Sequence, residues 1–446
     1  MNRFKNAGLV ALVVLGALIP AAHLNRWHGI WEALAWLAPA ACLIFTRREF
    51  PRRANQALAL AGSLITVDTM LHFVRLRQAT GEPWLRLAVI LSVAALVTAL
   101  AAWALEQPLF ARNSRAKADA SGPREFPVAG FAAWAVALAL LAVVQLKVRP
   151  PMLLAERFAH GAGWLEISLL ALYAGFTAEA LCDPLRASKA RRRAWGLFSL
   201  AFFGQLALGL AGFKDFLMTG ALHLPVPALI VAGPLFRGEG LFMLCLFSAT
   251  VLLVGPAWCS HLCYIGAWDS AMSQARKRPS AAPAWLRRGR ILLAAAVFGV
   301  AWALGRMGVT SMTAVWLAGG FGLAGVGIMA FASRRTGVMA HCSGWCPMGL
   351  LAGLAGKLSP WRLRIGSGCK GCGVCSLACR YDALRPEDLG RKRPGVSCSL
   401  CRDCLGACPK SEMELTFLGR SGPWVWATFS AVVAALHAVF LGVARI

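Results

Sequence analysis

This chain has little charge, and least of it acidic. Asp and Glu together number 20 in 446 residues, and charged residues make up 15% against 58% hydrophobic ones. So little charge excludes an ordinary soluble protein of this length and leaves a polytopic membrane protein with a small soluble module. The shortage of acid against 46 Lys and Arg gives a formal net charge of +26. These basic residues sit in short loops between apolar segments, where they orient helices and touch anionic head groups. No nucleic-acid motif accompanies them, so nucleic acid is not expected as a partner. A nucleophile, an acid–base pair and an internal repeat are missing too. That excludes chemistry on a carbon substrate beyond quinol oxidation, and it gives a transporter no support.

Apolar runs of about 20 residues span a bilayer as helices. They fall near 7–22, 28–45, 55–74, 84–105, 127–146, 163–182, 194–213, 241–258, 290–305, 312–332 and 423–443. The first, preceded by Arg3 and Lys5, reads as a retained span rather than a cleaved signal peptide, because further spans follow at once. Another apolar stretch, 216–236, is interrupted by Pro225, Pro227 and Pro234, which remove backbone donors and argue against a straight crossing. Basic clusters at 47–53, 112–124, 186–193, 276–290 and 334–335 read as loops that the positive-inside rule assigns to the cytoplasm. Alternation then works only if 216–236 stays at the outer face as a re-entrant or interfacial segment. About eleven spans result, with the N-terminus inside and the C-terminus outside.

Cysteine is what the chain has in a pattern. Two runs share one rhythm: Cys369-x2-Cys372-x2-Cys375-x3-Cys379 and Cys398-x2-Cys401-x2-Cys404-x3-Cys408. That spacing wraps a cubane iron–sulfur cluster, and in two-cluster ferredoxins the fourth Cys of each run ligates the other cluster. Cys369, Cys372, Cys375 and Cys408 are therefore assigned to one [4Fe–4S] centre, and Cys398, Cys401, Cys404 and Cys379 to the other. Zinc commonly uses separated pairs, and disulfides do not suit a cytosolic face. Pro409 completes the second run, whereas Arg380 stands in its place after the first.

Two further pairs come earlier, Cys259-x3-Cys263 and Cys342-x3-Cys346, beside Trp258 and Trp345. On a helix, i and i+4 sulfurs point the same way. Four thiols from two loops suit a metal ion, a further cluster or two redox-active dithiols, and the choice stays open here. His261 and His341, beside them, are candidates to bind metal or to lower thiol pKa values by local charge.

With these motifs in order, Gly255 to Cys263, His341 to Pro347 and then the two runs, the chain resembles the NapH/NosR/CcoG-type membrane polyferredoxins over roughly residues 195–417. The resemblance implies electron transfer between the quinone pool or a cytoplasmic donor and a redox partner, from a bacterial inner (cytoplasmic) membrane with the clusters on the cytoplasmic side. Tyr264 replaces the proline that the family's motif has after Cys263, and the flavin-attachment motif of the extended NosR-like members is missing.

The expected fold class is mainly α: a polytopic helical membrane protein with a small α+β bacterial-type two-cluster ferredoxin module. Its regions are 1–194, N-terminal transmembrane; 195–358, NapH-like transmembrane with the two C-x3-C motifs; 359–417, the 2x[4Fe–4S] ferredoxin domain; and 418–446, a C-terminal transmembrane helix. His72, His223 and His437 offer no opposed pair for a haem, so none is expected. Asp68, Glu166 and Glu179 lie in or near spans, and Asp68, one turn from His72, is the candidate proton acceptor. The leading function is a membrane-anchored electron carrier, at most a quinol-linked oxidoreductase. The alternative is a maturation factor that reduces a metal ion or disulfide of a client.

Overall fold

The computed structural model describes residues 2–46, 48–107, 109–110, 127–217 and 224–443. The 112–124 basic cluster, Arg47 and His223 lie outside them. Among the described residues, nine helices are long and apolar enough to cross a membrane. Two shorter apolar helices, Ile30–Phe45 and Phe242–Val254, fall on two more of the expected runs. Large apolar side chains point outward from these helices: Leu200 is 73% exposed, Leu292 75% and Trp316 75%. Such surfaces are costly in water and suit a multi-pass membrane protein.

The chain divides into two compact units, Met1–Glu179 and Ala180–Ile446. In the first, helices Asn2–Trp27, Ile30–Phe45, Glu49–Thr80, Leu85–Ala104 and Pro127–Lys147 pack together, with Ala162–Cys182 ending in the next unit. Small residues let the backbones approach closely. A Cβ on Gly62 would meet Pro20 Cγ at 2.6 Å, and the aromatic ring of fully buried Phe50 fills the space beside Gly175. Buried polar groups are tied to backbone: Asn55 donates to the carbonyls of Pro39 and Pro51, both at 2.8 Å. Glu179 pairs with Arg48 at 3.1 Å, and Glu166 accepts from the Ala155 N–H at 2.7 Å. Asp68 and His72 lie on the exposed face of Glu49–Thr80.

The second unit holds helices Pro184–Leu210, Phe242–Val254, Ala284–Arg306, Ser311–Ile328 and Pro423–Val443 together with a small module that carries the two cysteine runs. Residues 216–236 do not form a continuous helix: the described part contributes Leu229–Arg237, about 14 Å long at the α-helical rise. The 186–193 cluster is not a loop, since it forms the first turns of Pro184–Leu210. Arg52, Arg53 and Arg287–Arg290 likewise lie inside helices. Arginine is a good helix former, and its long stem carries the charge away from an apolar axis, so a basic cluster between spans need not break the helix.

The module is built on an antiparallel sheet of β1 (Trp361–Ile365), β2 (Met413–Phe417) and β3 (Arg420–Ser421). Trp361, Leu363 and Ile365 point inward while Arg362 and Arg364 point out, the alternation of a half-buried strand. Leu418 and Gly419, both at positive φ, close the two-residue hairpin into β3. Between β1 and β2 the two cysteine runs fold alike. Gly371 and Leu400 take φ of 70° and 51°, Gly373 and Arg402 take 76° and 68°, and Asp382 and Ser411 take 50° and 53°. Short helices Val374–Ala378 and Asp403–Ala407 follow the left-handed residues in each run and pack on each other.

Arg380 docks this module on the unit's helices. Its Nη1 donates to the carbonyls of Ser273, Arg276 and Gly337 at 2.6, 3.2 and 2.9 Å, and its own carbonyl accepts from the Met339 N–H at 2.7 Å. Replacing Arg380 by Ala is expected to cost about 1–2 kcal/mol. Hydrogen exchange should rise at 337–340 and 379–384; unchanged protection would show that the clamp is dispensable.

Candidate functional site

The left-handed residues in each run turn the backbone around its sulfurs. Seven of the eight thiols fall into two groups that cross between runs. Cys375 has Cys369 and Cys408 as its charged neighbours. Cys404 has Cys401, Cys398 and Cys379. Cys379, Cys398, Cys401 and Cys404 line one cavity, together with Leu363, Tyr381, Ala383, Leu384, Ser399, Leu400 and Arg402. Cys372 is exposed.

Burial pushes the thiols of Cys379, Cys398 and Cys401 up to about 12. Backbone N–H groups oppose this: Ala383 donates to Cys379 Sγ at 3.4 Å, and the N–H groups of Leu400 and Asp403 face Cys398 and Cys401. Free thiols here stay neutral, whereas a bound iron holds thiolates and the N–H groups then share their charge. Among the described residues, no three His, Cys, Asp or Glu side chains converge on a single metal ion. A tetrahedral zinc, with sulfurs about 2.3 Å from one centre, is a poor match. A cubane is a better one, because each thiolate takes a different iron.

Positive charge is buried beside the second group. Arg191, 4% exposed, pairs with Asp403 at 2.8 Å and stacks 5.3 Å from the Trp195 ring. Arg402, also 4% exposed, donates to Ser430 Oγ at 3.1 Å and lies over the Trp426 and Phe429 rings. Burial pulls the Arg402 guanidinium down to about 10. Arg191 and Arg402 thus place two guanidiniums in the electrostatic reach of Cys401.

The C-x3-C pairs do not lie on α-helices as expected. Each begins in a π-helical turn, Trp258–Leu262 or His341–Trp345, and ends with Cys263 or Cys346 in extended conformation. Short helices Gly266–Ser273 and Pro347–Ala355 follow, and N–H groups at their starts face the second sulfur of each pair: Ile265 and Gly266 for Cys263, Met348 and Gly349 for Cys346. The turns bring all four thiols into one electrostatic neighbourhood, with Cys259, Cys263 and Cys346 all acting on Cys342. None of the four is exposed. Burial pushes Cys263 up to about 12 and Cys259 and Cys342 well above the ordinary thiol range.

Both histidines are buried, which overturns a role for them as local positive charge. Burial drives His261 well below the ordinary imidazole range and His341 down to about 4, so both are neutral. His261 Nδ1 lies 2.9 Å from Ser260 Oγ, and its carbonyl accepts from His437 Nδ1 at 2.7 Å. Tyr264, where a proline was expected, stacks on Phe202 with ring centroids 3.8 Å apart.

Several residues at this site were not picked out from sequence. Asp269, fully buried, accepts from Ser333 Oγ at 2.5 Å and from the Cys342 N–H at 2.9 Å. Burial raises its carboxyl to about 6 against those hydrogen bonds. Trp195, Met339 and Tyr381 form a buried cluster against which Cys342, Cys379, Cys398 and Cys401 pack. A lone acid between apolar segments was the available signal for Asp269; Trp195 and Tyr381 had none.

A family model described as a 4Fe-4S binding domain (Fer4_5) matches residues 236–281 and 318–366. The two stretches contain the two C-x3-C pairs and stop before Cys369. The match supports an iron–sulfur protein of ferredoxin-like character, and with it iron–sulfur electron transfer. No curated protein and no solved structure matches the chain.

Asp269→Ala would leave the Cys342 N–H and the Ser333 hydroxyl without their buried acceptor, at about 3 kcal/mol. A lower thermal midpoint and faster exchange at Ala340 and Cys342 are expected. Wild-type protection in both regions would show that the carboxylate does not hold this turn.

Proposed function

We propose that the protein is a membrane-embedded iron–sulfur electron carrier. Cys369, Cys372, Cys375 and Cys408 would hold one [4Fe–4S] cluster, and Cys398, Cys401, Cys404 and Cys379 the other. The observation that carries this is the exchange of fourth cysteines: Cys375 neighbours Cys408, while Cys379 neighbours Cys398, Cys401 and Cys404. When bound, such clusters supply reversible one-electron chemistry.

The chain's own residues do the rest. Backbone N–H groups share the sulfur charge, Arg191 and Arg402 favour the more negative reduced state, and apolar walls exclude water. Long apolar helices support a membrane setting. We take the cysteine-bearing face to be the cytoplasmic side of a bacterial inner membrane, because basic residues gather at 186–193, 276–290 and 334–335 around it. On that reading the partners are membrane lipid, a quinone pool or cytoplasmic donor, and a redox protein. The maturation-factor alternative asks for accessible, low-pKa thiolates at the C-x3-C pairs. Their burial disfavours it.

Anaerobically purified protein is expected to contain at least about eight irons and as many labile sulfides per chain. Cys379→Ser should disturb the same low-temperature paramagnetic resonance signal as Cys404→Ser, and Cys408→Ser the same one as Cys375→Ser. Zinc without sulfide, or disturbance that follows each run separately, would sink the assignment.

Arg402→Gln is expected to lower the midpoint potential of the second centre by about 60 mV, tenfold in a one-electron equilibrium. A redox titration of its signal reads this directly. An unchanged or raised potential would remove the tuning role.

A further inference from the structure

The second ferredoxin quartet and the C-x3-C quartet share a wall. Trp195 and Tyr381, 1% and 3% exposed, lie with Met339 and Ala383 in one buried cluster. Cys342 packs against it from the C-x3-C quartet, and Cys379, Cys398 and Cys401 from the ferredoxin quartet. Tyr381 lies in the electrostatic reach of Cys342 and Cys259 as well as Cys401. Trp195 Nε1 donates to the Cys263 carbonyl at 2.5 Å, so the ring is fixed to the other C-x3-C turn as well. A backbone route runs parallel to the rings: the Met339 N–H, three residues before Cys342, donates at 2.7 Å to the carbonyl of Arg380, the residue after Cys379.

The C-x3-C thiols have the features of the ferredoxin quartets. Four cysteines form a full ligand set for an iron–sulfur centre. They come from two matching turns, and N–H groups face the second sulfur of each pair. The matched family stretches end short of the ferredoxin runs and contain these four thiols.

We propose that Cys259, Cys263, Cys342 and Cys346 hold a further iron–sulfur centre, and that single electrons pass between it and the second ferredoxin centre across the buried cluster of Trp195, Met339, Tyr381 and Ala383. This rests on the two-cluster reading above. In each exchange one centre is oxidised by one electron and the other reduced by one. No bond forms or breaks, and no proton has to move. Electron transfer weakens steeply with distance and most steeply across gaps, so the buried cluster on which cysteines of both quartets pack makes the connecting path. Tyr381 is a positioning residue here: it belongs to the cluster on which cysteines of both quartets pack, without ligating either centre.

Iron and labile sulfide counted on the full-length protein, with paramagnetic resonance of the reduced state, test the site. About ten irons per chain (a two-iron centre) or about twelve (a cubane) are expected. A third signal should be lost in Cys259→Ser and Cys342→Ser while both ferredoxin signals persist. About eight irons and only two signals would overturn the further centre and leave the two-cluster reading intact; loss of iron from residues 369–408 would strike that reading instead.

The route is tested by freeze-quench resonance after a pulse of substoichiometric photoreductant. In Tyr381→Leu with full iron content, equilibration between the third and second signals is expected to slow about tenfold or more, with midpoint potentials unchanged, and Tyr381→Phe should restore it. An unchanged rate in Tyr381→Leu overturns the route. If that variant loses iron, the wild type decides: mutual broadening of the second and third signals, abolished in Cys342→Ser, supports adjacency, and unbroadened signals refute it.

Discussion

A buried sulfur is neutral unless something positive meets it, and that constraint governs the second half of this chain. Burial drives Cys263, Cys379, Cys398 and Cys401 up to about 12, far from any state in which a thiolate persists unaided. The fold supplies partial compensation at every such sulfur through backbone N–H groups, and whole charges at one place, where Arg191 and Arg402 stand beside the second quartet. On the proposed reading, iron supplies what remains. The arrangement therefore makes sense as a set of metal–thiolate seats and poor sense as a set of reactive thiols.

Holding N–H groups toward sulfur requires left-handed turns. In the first cysteine run Gly371 and Gly373 provide them at no steric cost. In the second run the same two positions are Leu400 and Arg402, which cost on the order of 1 kcal/mol each in that conformation. Both are buried, and their contacts over-determine the strained backbone. Arg402 reaches Ser430 and the Trp426 and Phe429 rings on helix Pro423–Val443, so the residue that breaks the local rule also ties the module to its neighbouring helix. The exposed run uses glycine and the buried run uses side chains.

The cysteine rhythm was legible because ligand spacing is local: eight residues within forty positions carry their own geometry. Apolar length was legible for the same reason, and the helices fall near the expected runs. Loops were misread where arginine clusters continue helices, because charge patterning reports which side a segment faces and not whether its backbone is helical. The C-x3-C turns were read as α-helical from spacing alone, yet each contains a π-turn and an extended second cysteine. What no local signal carried was the long-range polar wiring. Asp269 meets Cys342 across 73 residues, and Arg191 meets Asp403 across 212. Residues of that kind are recognisable only once the fold brings them together.

The two departures from the expected prolines bear on how the parts are joined. Proline after a ligating cysteine stiffens a turn but offers no side chain that can hydrogen-bond. Tyr264 instead stacks on Phe202 and meets Phe203 edge-on on helix Pro184–Leu210, and Arg380 gathers two carbonyls from the segment after the first C-x3-C pair and one from the segment before the second. Both replacements exchange local stiffness for a contact with another element. Arg380 sits between Cys379 and Tyr381, so the clamp acts at the point where the ferredoxin quartet meets the aromatic wall. A small displacement there would open a gap between ligand sets, and a relay is more sensitive to such a gap than to the stability of either site alone. Exposure also differs along the line: Cys372 in the first quartet is exposed, and none of the four C-x3-C thiols is.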